Sequence, residues 1–141
     1  MAMTVHVDIV SAEAEIYSGL AELVLAPASE GEVGILPRHA PFLSQLKPGT
    51  VHLKLSGERE ESFYVSGGML EVQPHVVTIL ADTAVRAHDI DEAAAVDAKA
   101  RAEKLLSDSN ATFDYTRAQV ELAEAMAQLQ TLQRFRSKIR K

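Results

Sequence analysis

The chain has no cysteine and no tryptophan among its 141 residues, and aromatic side chains make up only 5% of it. Without thiols there is no disulfide framework, no thiolate zinc site and no Cys nucleophile, and nothing marks an oxidising compartment. No apolar run approaches the roughly 20 residues that cross a bilayer. The N-terminus lacks the basic flank and apolar block of a secretory signal, since Asp8, Glu13 and Glu15 arrive at once. The expectation is a soluble, cytoplasmic protein. Basic residues are also scarce, 14 against 20 acids for a formal charge of −6, which argues against a nucleic-acid binder.

Glycine and proline are absent from the whole of residues 87–141, whereas all seven glycines and all five prolines fall before Arg86. These residues punctuate strands and turns, and their absence leaves helices uninterrupted. The order is therefore β first, α second. Charge divides along the same line: residues 1–86 hold 11 acids and 5 bases, while residues 113–141 hold 3 acids and 6 bases, five of them in the last eight positions. A basic tip on an acidic protein is a docking surface for something acidic.

In the first part Val5-His6-Val7-Asp8-Ile9 and Val51-His52-Leu53-Lys54-Leu55 alternate apolar and polar, the period of half-buried strands. Ser56-Gly57-Glu58 reads as a turn before Ser62-Phe63-Tyr64-Val65. Leu23-Val24-Leu25 and Val76–Ala81 are more continuously apolar, which predicts central strands covered on both faces. Short strands with a turn signal about every ten residues indicate an antiparallel sandwich or flattened barrel. The Gly67-Gly68 pair is expected to permit a close backbone approach or a positive φ.

In the second part Asp89 followed by Glu92 forms a capping-box pattern, predicting a helix over residues 90–106 rich in alanine. Ser107-Asp108-Ser109-Asn110 breaks it, and a second helix is expected from about Asp114 to Ile139. Its stripe of Ala118, Leu122, Ala125, Leu129 and Leu132 predicts an antiparallel hairpin. Val96, Leu105, Leu106, Leu122 and Leu129 are the expected larger anchors of a seam made mostly of alanine. Because burial stabilises by about 25 cal/mol per Å², such a seam is expected to close weakly, which leaves open both a hairpin whose population a partner shifts and one that never opens.

Chemistry is sparse. His6, His39, His52, His75 and His88 have no metal-ligand spacing, and His6 with Asp8 supplies only two ligands. There is no Gly-x-Ser-x-Gly elbow, Walker loop or His-Glu-x-x-His. Glu30 and Glu32 flank a glycine in an exposed loop, and a hydrolase built on Glu30, Glu32 or His39 is the weaker reading. The glycine- and proline-punctuated segment from Ser29 to Leu43 is instead the long loop that carries interaction, with the basic end Arg134, Arg136, Lys138, Arg140 and Lys141.

Ser11-Ala12-Glu13 with Tyr17-Ser18-Gly19, the Gly31-Glu32-x-Gly34-Ile35-x-Pro37-x-His39-Ala40-Pro41 pattern, Ser66-Gly67-Gly68-Met69-Leu70-Glu71-Val72 and Leu80-Ala81-Asp82-Thr83-Ala84 together resemble the epsilon subunit of the bacterial F-type ATP synthase. The likeness runs through Asp89-Ile90-Asp91-Glu92-Ala93 and covers essentially the whole chain. It implies an antiparallel β-sandwich of about ten strands at residues 1–87, binding stalk and c-ring, and a regulatory α-helical hairpin at 88–141. It further implies a non-catalytic rotor subunit without cofactor or metal, peripheral on the cytoplasmic face of the bacterial plasma (inner) membrane. By that resemblance Glu30, Gly31 and Glu32 face the c-ring, and Ser11, His39 and Ser44 lie towards the gamma subunit. Arg134, Arg136, Lys138 and Arg140 dock on the alpha and beta subunits of the catalytic head and inhibit ATP hydrolysis. Some family members bind ATP through an Ile/Leu-Asp-x-x-Arg-Ala motif. Here Ala94 stands at the arginine position, so Asp91 and Arg117 are weak nucleotide-site candidates and an ATP-sensing module is the alternative.

Overall fold

The computed structural model describes residues 3–107 and 115–139; the side chains of Tyr115, Lys138 and Ile139 lie outside that description. Ten strands precede two helices: β1 (Val5–Ser11), β2 (Glu15–Ala21), β3 (Leu23–Ala28), β4 (Gly31–Ile35), β5 (Phe42–Leu46), β6 (Gly49–Lys54), β7 (Glu60–Val65), β8 (Gly68–Val72), β9 (Val76–Ala81), β10 (Ala84–Arg86), α1 (Glu92–Ser107) and α2 (Tyr115–Ile139). The strands run β10-β7-β6-β3-β5-β8-β9-β1-β2, with β4 beside β3. The β3–β5 link is a single register pair, Ala28 with Leu46, so the sheet folds there into two layers. One pair departs from the antiparallel plan: β1 lies parallel to β9, His6 opposite Val76 and Ser11 opposite Ala81.

Between the layers sit Ile9, Ile35, Leu53, Phe63, Leu70 and Ile79, all fully buried, and every member of this core precedes Ala87. Arg86 fastens the open side. Its guanidinium donates to the Ile16 carbonyl at 2.9 Å and lies over the rings of Tyr17 and Phe63, which meet edge to face at 5.6 Å. Gly67 and Gly68 take φ of 129° and 134°, and a Cβ at Gly68 would stand 1.9 Å from the Leu80 carbonyl oxygen. No other residue fits there.

Three expectations need correction. The segment from Ser29 to Leu43 is not one long loop, because Gly31–Ile35 pairs with β3 as strand β4; its two glycines mask the alternation that buries Ile35. Val76–Ala81 is covered on one face only, for Leu80 is 52% exposed while Val77 and Ile79 are fully buried. The N-cap of α1 is Asp91 rather than Asp89: the Asp91 carboxylate accepts the Ala94 N–H at 3.1 Å. Asp89 belongs to a short 3-10 turn, Ala87–Asp89.

The helices pack antiparallel, with Ala95 and Ala102 of α1 against a row of Ala118, Ala125 and Leu132 on α2. Within each helix these buried positions recur every seven residues, the narrow seam of a coiled coil. Of the expected anchors, Val96 and Leu105 point outward, each about half exposed. The expected break at Asp108-Ser109-Asn110 lies outside the described residues.

Candidate interaction surfaces

Two sheet layers present two outer faces, and the helices cover one of them. On β6 and β7 the cross-strand pairs Thr50–Tyr64 and His52–Ser62 point outward, and α2 lies across them. At the centre of this contact Thr131, fully buried, brings its hydroxyl to 2.6 Å from that of Thr50. Thr131 donates to the Ala127 carbonyl at 2.9 Å, so the Thr50 hydroxyl donates to Thr131. Beside it the His52 Nδ1 and the Ser62 hydroxyl lie 2.8 Å apart, with Glu60 3.5 Å from the same imidazole.

The acids of this contact have shifted affinities for protons. Burial, then Glu121 and Asp82, raises Glu124 above the usual carboxylate range. Burial and the neighbouring Glu124 push the Tyr64 phenol up to about 12. None of these groups is conspicuous in the sequence. Thr131, Ala127, Glu124 and Phe135 form a second stripe on α2, set apart from the alanine row and containing too few large apolar side chains to register.

The other outer face, on β2, β1, β9, β8 and β5, is open. Leu20, Val76, Leu80 and Leu43 stand on it, exposed by 57%, 36%, 52% and 66%. In their midst the Asp8 carboxylate accepts the Ser18 hydroxyl at 2.8 Å and meets His6 Nε2 at 2.9 Å. Ser18 reaches the same imidazole nitrogen, at 3.2 Å. Because one nitrogen serves both partners, the trio is a hydrogen-bonded triangle and not a nucleophile–base–acid relay. The described residues hold no cluster of three or more groups suited to a metal.

The expected contact residues distribute as follows. Glu30 lies in the exposed Ser29-Glu30 turn between β3 and β4, and Gly31, with φ of 130° and open space around it, and the exposed Glu32 are the first residues of β4. Ser11 closes the turn after β1, its hydroxyl accepting the Glu13 and Ala14 N–H groups. His39 donates from Nδ1 to the Ala40 carbonyl at 2.6 Å and meets Phe42 edge to face. Ser44 lies midway along β5 and donates to the Gln45 carbonyl. The His39 loop is tied to Pro74, at the end of the layer where β9 begins, and Ser11 is at the other end. At about 3.3 Å per residue the five steps from Val76 to Ala81 put the two ends of that pairing about 17 Å apart. Ser11, His39 and Ser44 thus border the open layer without forming a single patch.

At the basic end of α2, Arg134 meets Glu32 at 3.5 Å, and Arg136 holds both carboxylate oxygens of Glu92. The hydrogen bonds from Arg136 lower the Glu92 pKa. The side chain of Lys138, and Arg140, lie outside the described residues. Asp91 and Arg117 are not brought together. Asp91 caps the start of α1 and Arg117 pairs with Glu121 near the start of α2. In an antiparallel hairpin those positions lie a helix length apart, about 24 Å for 16 residues.

The family model for the ATP synthase delta/epsilon chain β-sandwich domain matches residues 4–87, and that for the delta/epsilon chain long α-helix domain matches residues 88–133. The ATP synthase epsilon chain 1 of Methylococcus capsulatus is 66% identical over 136 residues, spanning 96% of this chain and 97% of the relative. The epsilon chain of Nitrosococcus oceani is 63% identical over 139 residues, 99% of each. Among solved structures, a chain of the Euglena gracilis mitochondrial ATP synthase with its c-ring gives a TM-score of 0.79 at 23% identity, over 92% of this chain and 81% of that one. A chain of the Tetrahymena thermophila mitochondrial ATP synthase central stalk and c-ring gives 0.62 at 12% identity, over 92% and 97%. At these identities the two structures speak for the fold.

Proposed function

Since this chain belongs to the epsilon-chain family of the F-type ATP synthase, we propose that it is a non-catalytic rotor subunit of the central stalk that joins the c-ring to the gamma subunit and restrains ATP hydrolysis with its C-terminal arm. Its working site is peripheral, on the cytoplasmic face of the bacterial plasma membrane. In keeping with a peripheral role, no described helix is long and apolar enough to cross a membrane.

The observation that carries the reading is the independence of the two parts. The sandwich core contains no helical residue, so the arm can leave without opening it. The alanine seam and the exposed Arg136–Glu92 pair join the two helices to each other, while α2 is held to the sandwich by its contact on β6 and β7 around the buried Thr50–Thr131 hydroxyl pair and by the exposed Arg134–Glu32 pair. The open face bearing Leu20, Val76, Leu80 and Leu43 suits the gamma subunit, because exposed apolar surface of that kind marks a protein interface. The Glu30-Gly31-Glu32 turn meets the polar loops of the ring. Released, Arg134 and Arg136 together with Lys138 and Arg140 meet acidic segments of the alpha and beta subunits, where each close charge pair near a surface is worth a few kcal/mol before desolvation, about 4 at most.

Deleting residues 88–141 from the assembled enzyme tests this. Assembly and coupled synthesis are expected to persist while ATP hydrolysis rises; unchanged hydrolysis removes the inhibitory role. Nucleotide sensing is a separate matter. With Ala94 in place of a guanidinium and Asp91 engaged as a helix cap, titration with ATP in a calorimeter is expected to give no saturable heat.

A further inference from the structure

The Glu32–Arg134 pair connects two surfaces that the proposed function uses separately, the turn that meets the ring and the arm that meets the head. With the arm closed, the Glu32 carboxylate lies 3.5 Å from the Arg134 guanidinium, and both side chains are about two-fifths exposed. The pair therefore exchanges with solvent and with other ions. Arg134 borders a cleft under α2 whose walls include Lys54 and His52 of β6, with Glu60 on β7 beside the His52 imidazole. The two fixed charges on those walls, Lys54 and Glu60, are of opposite sign and are cross-strand neighbours on β6 and β7, so the carboxylate given to Arg134 is that of Glu32.

We infer that Glu32 is shared between the arm and the ring, so that a cationic group of the ring which takes Glu32 releases Arg134 and favours opening of the arm. A second cation drawn to the Glu32 carboxylate is repelled by the first, so the two compete for it. Coupling between two such uses is reciprocal: opening the arm frees Glu32 and tightens the grip on the ring by the same factor. The inference rests on the ring-contact reading of the Glu30-Gly31-Glu32 turn. A solvent-exposed pair sets its size at about two- to five-fold.

The absence of cysteine supplies the reporter. Ala127, buried on the face of α2 that carries Thr131, can be replaced by Cys, and its alkylation rate then measures arm opening. In the free full-length chain, Glu32→Gln and Arg134→Gln are each expected to speed labelling by about two- to five-fold, with the double variant no faster than either. The exchanged pair, Glu32→Arg with Arg134→Glu, is expected to return the rate towards the parent. Additive single effects, or an exchange that restores nothing, would overturn the latch.

Binding to a subcomplex of ring and gamma, without the head, supplies the second arm. Arg134→Gln is expected to tighten binding by the factor seen in labelling, and Glu32→Gln to weaken it and to abolish the effect of Arg134→Gln. If Glu32→Gln leaves ring binding unchanged, the ring-contact reading falls and the coupling with it. If Glu32→Gln weakens binding but Arg134→Gln does nothing, the ring contact stands and the coupling alone is overturned.

Discussion

The sandwich and the hairpin are built from different materials. The sandwich interlocks Ile9, Ile35, Leu53, Phe63, Leu70 and Ile79 between two layers, whereas the hairpin closes on Ala95 and Ala102 against Ala118 and Ala125. Large buried side chains make many contacts and leave costly cavities when cut back; alanine buries little to begin with. The polar groups follow the same division. Within the described sandwich core the buried groups are apolar, while the contact beneath α2 holds Thr50, His52, Ser62 and Thr131. A hydrogen-bonded seam specifies register yet can exchange its partners for water, so the molecule has one part fit to bear load and another fit to let go.

That contrast can be broken most forcefully in the core. Phe63→Ala is expected to lower sandwich stability by about 3–5 kcal/mol, read from the urea midpoint of the strand signal. A loss no greater than that of hairpin variants would erase the distinction between the two parts. Thr131→Val comes next. It deprives the buried Thr50 hydroxyl of its acceptor, costing about 1–3 kcal/mol, and the loss is expected in amide exchange of residues 118–137 while the sandwich midpoint stays put.

A smaller effect sits on Glu124. Its closed-state pKa is raised, so the closed arm binds a proton more tightly than the open one, and closure weakens as pH climbs from 4.5 through the raised value. Glu124→Gln is expected to flatten that dependence and to slow α2 amide exchange at neutral pH; an undiminished slope would assign it to another group. The smallest effect is at Glu92, whose pKa is lowered by Arg136. Its contribution is present above 4.5 and is lost as pH falls through the lowered value. Arg136→Gln should remove this acid-side loss, and salt should weaken it in the parent, because both groups are exposed.

Much of this division can be read from residue order alone. Seven glycines and five prolines before Arg86 and none after it mark the change from strands to helices. The steps of four and three from Ala118 to Leu132 give the hairpin stripe. Other features are hidden because they depend on what packs above a residue. Nothing local to Val76–Ala81 reveals that a neighbour covers Val77 but not Leu80. Strand β4 is obscured by Gly31 and Gly34, whose lack of side chains leaves Glu32, Val33 and Ile35 too few to declare a period. Thr131 reads as an ordinary polar helix residue, since its partner is Thr50, 81 positions earlier. The Glu30-Gly31-Glu32 turn is visible as an exposed acidic motif; its contact with Arg134 is not.

The parallel pairing of β1 with β9 has a consequence for how the chain is made. Antiparallel β2 can join β1 within a few residues, but the other flank of β1 must wait for Val76–Ala81 to be translated. Strand β1, translated before the other described strands, is therefore among the last of them to be secured on both sides. The residues of α1 and α2 follow β9 and β10 in the chain, so every strand of the platform on which the arm rests is synthesised before the arm.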